Sequence, residues 1–423
     1  MKKTLRWIQQ NIVLVLSLIV MVASAPAGLV LGMQKAAKVR NEVQQDIEQR
    51  MRAIRSSNTT YTLPALLSSQ PPITISRPPN KATNDAVAAY MQGATRVADE
   101  VYGWAVNRNM DNRDMLVEGL FPAPDPAEAA RKLQEVASAW PPAQEQALRD
   151  VGAGAPPDPE AVAARLQALR DDAIRRAQDR GDTAEEAGAS KDLFAQLSRA
   201  RIAMYLDRAR ALTFYAGKNV IANVAPWSQE RPPTLDVAWD WQQRTWMHQD
   251  VLSALAIANT DSAGVPLSVL DGPVKRIEAI SVTPWTYGGQ SPQRQVNSVS
   301  PAPFNFEVSF TGIGATNALY DTRYANVSLV VDSLRLPAVL DAFKATNFIN
   351  VINLHVENYD AAGDPGEGYV YGGGSLVRIR LRLEFIWLRE WTAPLMPESV
   401  RKALGVAVPG SADQSAPSAA GGP

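Results

Sequence analysis

Two histidines, His248 and His355, are the only imidazoles in the 423-residue chain, and there is no cysteine. Thiolate nucleophiles, thiolate metal sites and disulfides are therefore excluded. His248 stands two residues before Asp250, and the i, i+2 spacing puts the two on different faces of a helix, so they do not form a local dyad. His355 lies beside Leu354 in a strand pattern and so faces the opposite, wetter side. Neither imidazole has a neighbouring group that would make it a metal ligand or a general base. Gly312-Ile313-Gly314-Ala315-Thr316-Asn317 lacks the last glycine of a dinucleotide fingerprint and reads as a turn. No GK[ST] phosphate loop, HExxH helix or GxSxG elbow occurs. The carboxylate pairs Asp171-Asp172 and Glu185-Glu186 sit in polar sequence, where nothing would desolvate them and raise a pKa. The expectation is no catalytic, cofactor-binding or metal-binding residue. Trp239 and Trp246, seven apart on one helix face, read first as core. Their alternative role is as interface anchors, because tryptophan is enriched at binding hot spots.

The elements that would carry such residues begin with an uncharged, mainly apolar run from Ile12 to Met33. At about 22 positions it is long enough to cross a bilayer as a helix. It follows Lys2, Lys3 and Arg6, with Trp7 at the expected interface depth. A cleaved signal peptide ending at Ala23-Ser24-Ala25 is the rival reading. Pro26 would then follow the cut directly, and the apolar run continues through Leu29-Val30-Leu31, so a retained anchor is expected. Lys35, Lys38 and Arg40 balance the N-terminal positives. A short basic tail usually stays inside, which predicts a single-pass inner-membrane protein with a cytoplasmic N-terminus and a periplasmic body.

Beyond the anchor, Val39, Val43, Ile47, Met51 and Ile54 recur at helical spacing among Glu42, Asp46, Glu48, Arg50 and Arg52. This predicts a helical stalk over 34–56 whose apolar stripe pairs as a short coiled coil, because an isolated stalk would leave the stripe in water. Positions 57–83 read as an extended linker. A helical region over 84–232 follows, with helices over Asp85–Asn107, Glu160–Arg180 and Leu193–Ala216. Prolines punctuate it, and Asp125-Pro126 and Asp158-Pro159 look like helix N-caps followed by proline. With 42 lysine and arginine against 43 aspartate and glutamate, no basic field gathers nucleic acid.

Over 233–403 the pattern becomes α+β. Leu235–Ala258 reads as an amphipathic helix, Val274–Val282 as a strand, and Phe304, Phe306, Val308 and Phe310 as a further β segment. Asn326–Val331 is an apolar strand, Leu336–Ala345 a helix and Asn350–Val356 a strand. Leu376–Leu388 alternates Val377, Ile379, Leu381, Leu383, Phe385 and Trp387 with Arg378, Arg380, Arg382 and Glu384, the signature of a sheet wet on one face. Without the Phe304 segment the order is αββαββ. That predicts a four-stranded antiparallel sheet with two helices on one face, a circular permutation of the ferredoxin-like fold. A tail over 404–423, rich in Ala, Gly, Pro and Ser, is expected to be disordered.

The basic tail, the Ile12–Met33 helix, the Val39-to-Ile54 stripe and the Asn326–Leu388 pattern together resemble the PilO and PilN inner-membrane proteins of type IV pilus machines and the GspM protein of type II secretion. Within that group the chain looks most similar to divergent members of planctomycete and verrucomicrobial type. The resemblance implies a non-enzymatic scaffold that pairs with itself or with a PilN-like partner through its coiled coil and its ferredoxin-like domain. A cytoplasmic PilM-like protein and a secretin are implied as further partners, and the family supplies no catalytic residue to carry over. The helical region exceeds the family plan. Two alternatives place their site there: a membrane-tethered envelope enzyme and a ligand-binding sensor.

Overall fold

A computed structural model describes residues 11–56, 59–63, 72–77, 80–111, 113–181, 183–221, 232–283 and 319–406. The fold is mixed α+β, and the chain forms two compact units, Met1–Gly103 and Trp104–Pro423. The Phe304 segment, the Gly312–Asn317 turn and positions 407–423 lie outside the described residues.

In the first unit, the expected anchor and stalk run together as one 45-residue helix, α1 (Ile12–Ser56), with Pro26 inside it. Among the described residues no helix is long and apolar enough to cross a membrane. Side chains 23, 25 and 27–30, within the apolar run, are outside the described set. Within 57–83, read from sequence as a linker, β1 (Thr59–Leu63) and β2 (Ile73–Arg77) pair antiparallel, from Thr59 opposite Arg77 to Leu63 opposite Ile73. Both strands are rich in threonine and isoleucine, whose branched Cβ suits a pleated backbone. The helix α2 (Lys81–Met110) follows, its first turn held by Asn80, whose Oδ1 accepts from the Thr83 N–H at 2.7 Å.

The second unit begins at Trp104, within α2, and its first complete helix is α3 (Ala129–Asp150). Asp125-Pro126 does not cap it. The Asp125 carboxylate instead accepts from Ala127 N–H at 2.8 Å, closing a turn before the helix, and Glu128 occupies the cap position with its carboxylate turned to Arg131 rather than to a helix N–H. Asp158 does cap α4 (Pro159–Gln178), accepting from Glu160 N–H with Pro159 in the first turn. After α5 (Ala184–Gly188), α6 (Lys191–Ala211) stops five residues earlier than its periodicity suggested, because Leu212 turns extended and leads into a short strand.

That strand belongs to a six-stranded sheet rather than the four-stranded one expected. Its strands are β3 (Ala153–Gly154), β4 (Phe214–Ala216), β5 (Val274–Val282), β6 (Tyr320–Asp332), β7 (Ile349–Asn358) and β8 (Leu376–Leu388). The order is β3-β4-β5-β6-β8-β7, parallel from β3 to β5 and antiparallel thereafter. The two added strands come from the helical region and are two and three residues long. A period of two cannot register over so short a span.

Two helices, α7 (Leu235–Ala258) and α8 (Leu336–Thr346), cover one sheet face. Ile277 and Ile280 of β5, Val327 and Leu329 of β6, and Ile379, Leu381, Leu383 and Phe385 of β8 meet Trp239, Trp246, Val251 and Leu255 of α7 and Val339 and Phe343 of α8. Each large apolar side chain buried there contributes about 1.5–3 kcal/mol relative to exposure. The β8 alternation places its arginines on the other face, as its sequence requires. The short helices α9 (Arg389–Thr392) and α10 (Glu398–Leu404) close the unit.

Candidate functional site

The apolar stripe of α1 lies open to solvent. Val39, Val43, Ile47, Met51 and Ile54 expose 48–58% of their surface, all on one side of the helix. The neighbouring faces carry charge pairs one turn apart, Asp46 with Arg50 at 2.9 Å and Glu48 with Arg52 at 3.4 Å. Such exposed pairs contribute little to stability, but they keep the flanks wetted and leave the stripe as the only apolar face over this stretch.

Trp239 and Trp246 do not present an anchor surface. Both are fully buried, and they meet edge to face with ring centroids 5.9 Å apart. Trp246 also packs on Trp387 and Trp391, and its indole Nε1 donates to the Asp114 carbonyl at 2.8 Å. The seven-residue spacing faces the sheet, so the core reading holds and the interface reading is corrected: these rings contact the chain's own strands.

The histidines separate by environment. His248 is buried beside Trp140, and its Nδ1 lies 2.8 Å from Gln144 Oε1. Gln144 donates through Nε2 to Thr245 Oγ1, and Thr245 donates to the Trp241 carbonyl. This direction makes Gln144 Oε1 the acceptor and assigns the proton to Nδ1 of His248. Desolvation, followed by the positive fields of Arg244 and Arg323, lowers its pKa to about 3. His248 is a neutral structural donor at physiological pH. His355 is exposed, with Nε2 3.1 Å from Glu357. The carboxylate pairs are likewise peripheral: Asp172 bonds Arg176, and Glu186 closes a capping box with Thr183.

Sequence reasoning missed the buried ion pairs. Arg323, with no exposed surface, donates to Asp240 at 2.6 Å, to Gln243 at 3.0 Å and to the Thr283 carbonyl at 3.1 Å. Arg113 grips Asp250 through two 2.8 Å bonds, and Arg389 binds Asp321 at 2.7 Å. Each pair joins residues 68 or more positions apart, so no local pattern announces it. Their hydrogen bonds run to one another and to neighbouring groups of the fold, which ties distant elements together.

On the wet sheet face, Arg378 binds Glu278 in a bidentate pair of 2.8 Å bonds, holding its carboxyl below the usual range despite partial desolvation. Tyr359, Tyr369 and Tyr371 fold over this end of the sheet, with Tyr215 of β4 beneath them and Arg276 4.0 Å above the Tyr369 ring. Burial raises the pKa of all four phenols, which keeps them protonated; Tyr359 donates to the Asp364 carboxylate, and the Tyr215 hydroxyl accepts from the Val370 N–H at 3.3 Å. The cluster fills its own space and fastens the 359–371 loop. Lys275 is buried, its Nζ donating to the carbonyls of Val269 and Leu270 at 2.8 and 3.0 Å, and desolvation lowers its pKa to about 8. Among the described residues no group of three or more His, Asp or Glu side chains could hold a metal ion. An open groove between α6 and the 359–371 loop is lined by Ser198, Arg201, Ile202, Tyr205, Pro365 and Gly366. It brings no pair of carboxylates together.

No family model matches the chain, and no curated protein matches it. Solved structures from Akkermansia muciniphila align over much of its length. One crystal structure is 9% identical and covers 61% of this chain and 95% of its own, with a TM-score of 0.21. A core domain from that organism is 10% identical over 60% and 98%, and a protein solved without its transmembrane region is 12% identical over 58% and 96%, both again at 0.21. At that TM-score the likeness carries no argument about fold or function.

Proposed function

We propose that this protein is a non-enzymatic, membrane-anchored scaffold subunit of a type IV pilus or type II secretion-like assembly. In this reading Ile12–Met33 moors the chain in the inner membrane, N-terminus inside. The stalk pairs with a second copy or a PilN-like partner, and the body stands in the periplasm, linking a cytoplasmic PilM-like protein to a secretin. The observation that carries the reading is the stripe on α1, five exposed apolar residues on one face of a continuous 45-residue helix. A helix of this length with one dry face gains from burying that face against another helix.

The body supports the same reading. Among the described residues, the elements from α7 to β8 run helix, strand, strand, helix, strand, strand, and the strands stand in the order β5-β6-β8-β7, each antiparallel to its neighbour. This order supports reading the body as a permuted ferredoxin-like domain extended by two short strands. The histidines and buried ion pairs bind partners within the fold, which supports a role in contact rather than conversion.

Replacing Val43 and Ile47 together with Asp tests the stalk. Two carboxylates on the stripe would have to be desolvated on pairing, so co-purification of the partner from solubilised membranes is expected to be lost. Undiminished association in the double variant would refute pairing through the stalk.

A further inference from the structure

Among the described residues, the six-stranded sheet has one blunted edge and one open edge. β3, at one end, is two residues long and offers almost nothing to pair with. β7, at the other end, is ten residues long and among the described residues pairs only with β8. Natural sheets guard such edges with proline, lysine, bulges or short strands. β7 contains neither proline nor lysine, and its irregularity falls early, between Val351 and Asn353. From Asn353 to Asn358 the register with β8 is regular, and the outward backbone groups of this stretch have no strand partner among the described residues.

The side chains along that stretch are unusual for a solvent edge. Leu354 and Val356 lie opposite Leu381 and Ile379 of β8, and hence on the helix-covered face, yet they expose 38% and 47% of their surface. The helix layer does not cover them. On the other face, His355 and Glu357 stand opposite Arg380 and Arg378.

We propose that the 353–358 segment of β7 is a self-association edge. A second copy of this chain adds its own β7 antiparallel, continuing the sheet across a two-fold axis at Val356. In an antiparallel pair about that axis, position i faces position 712 − i of the partner, so Val356 meets its own copy. Leu354 falls diagonal to the partner's Val356, and the four exposed apolar side chains form one strip. His355 faces the partner's Glu357, and this pairing occurs twice. No like charges stand directly opposite. Centring one residue earlier would instead set the two His355 rings against each other. The self-complementarity of this register, in hydrogen bonding between His355 and Glu357 and in apolar surface, selects a copy of the same chain as the occupant. This deepens the scaffold reading by naming a second partner surface, in the body rather than the stalk, and it borrows from that reading only the membrane setting of its test.

Because the chain has no cysteine, each introduced thiol is unique. Full-length protein in native membrane vesicles is oxidised mildly with Val356→Cys, with Leu334→Cys as an exposed control and with Val43→Cys as the stalk probe. Val356→Cys is expected to give a covalent homodimer, whereas Leu334→Cys is not. Chains carrying His355→Cys mixed with chains carrying Glu357→Cys should cross-link more than either alone. In that mixture a Val356→Asp change should lower the yield about fivefold by placing like charges face to face. Its thermal transition should be unchanged, since Val356 is exposed. Absence of the 356 product while the Val43 product forms would overturn the edge and leave the stalk reading intact. Equal yields at 356 and 334 would also overturn it. A 356 product without a Val43 product would support the edge and count against the stalk.

Discussion

At the scale of single residues, burial decides what a titratable side chain can do. His248 could serve as a base anywhere its nitrogen met solvent. Instead its Nδ1 is spent on Gln144 and its charged form is penalised by desolvation and by Arg244 and Arg323. A folded-state pKa of about 3 against about 6.5 when unfolded has a definite sign. Between those values the unfolded chain binds the extra proton, so stability is full above pH 6.5 and is lost as pH falls. Well below 6.5 the slope approaches about 1.4 kcal/mol per pH unit. A His248→Gln variant keeps a donor but does not titrate. Its melting temperature should fall less than that of the parent between pH 6.5 and 5, as followed by circular dichroism, and parallel curves would remove His248 from the acid response. Lys275 and the Arg323–Asp240 pair follow the same logic: their chemistry is satisfied inside the fold. The ion pairs were not legible locally, because Arg323 and Asp240 lie 83 positions apart; Lys275 is held by carbonyls only five and six residues upstream, but its burial is set by the fold.

At the scale of elements, legibility followed the strength of the local signal. The helix Leu235–Ala258 and the strands Val274–Val282 and Leu376–Leu388 have the bounds their periodicity implied. They are long, and each has a full face to bury. The cap at Asp158 was readable because aspartate followed by proline satisfies the first free N–H and presets the first φ. Replacing Asp158 with Ala should cost about 1 kcal/mol, measurable as a lower urea midpoint with unchanged m-value. The same dipeptide at 125–126 closes a turn instead, because its carboxylate binds the N–H two residues on before any helix begins. Short elements were opaque: β3 and β4 read as parts of helix and loop, and they become strands only by pairing, β4 with β5 and β3 with β4.

At the scale of the molecule, the proposed anchor makes a prediction of its own. If Ile12–Met33 holds the protein in the bilayer, alkaline carbonate should leave it in the membrane pellet, whereas a peripheral protein would be released. Recovery in the carbonate supernatant would remove the anchor from the proposal. The body draws on more of the chain than the expected α+β region. Trp140, Gln144, Phe214 and Ala216, all N-terminal to position 233, share its core or its polar centre. A helical region that looked like an appendage in sequence therefore supplies sheet and core to the Trp104–Pro423 unit.

By itself the amino-acid order determined whatever depends on neighbours within a few turns: the long helices, the alternating strands and the spacing that sets Val39 to Ile54 on one helix face. Only the tertiary structure decided the sheet's six strands, the burial of Trp239 and Trp246, the pairing of Arg323 with Asp240, and the exposure of one face of β7. The division has a physical cause. Periodicity records which face of an element is dry, but it does not record what that face meets, because the meeting is set by contacts between residues tens to hundreds of positions apart.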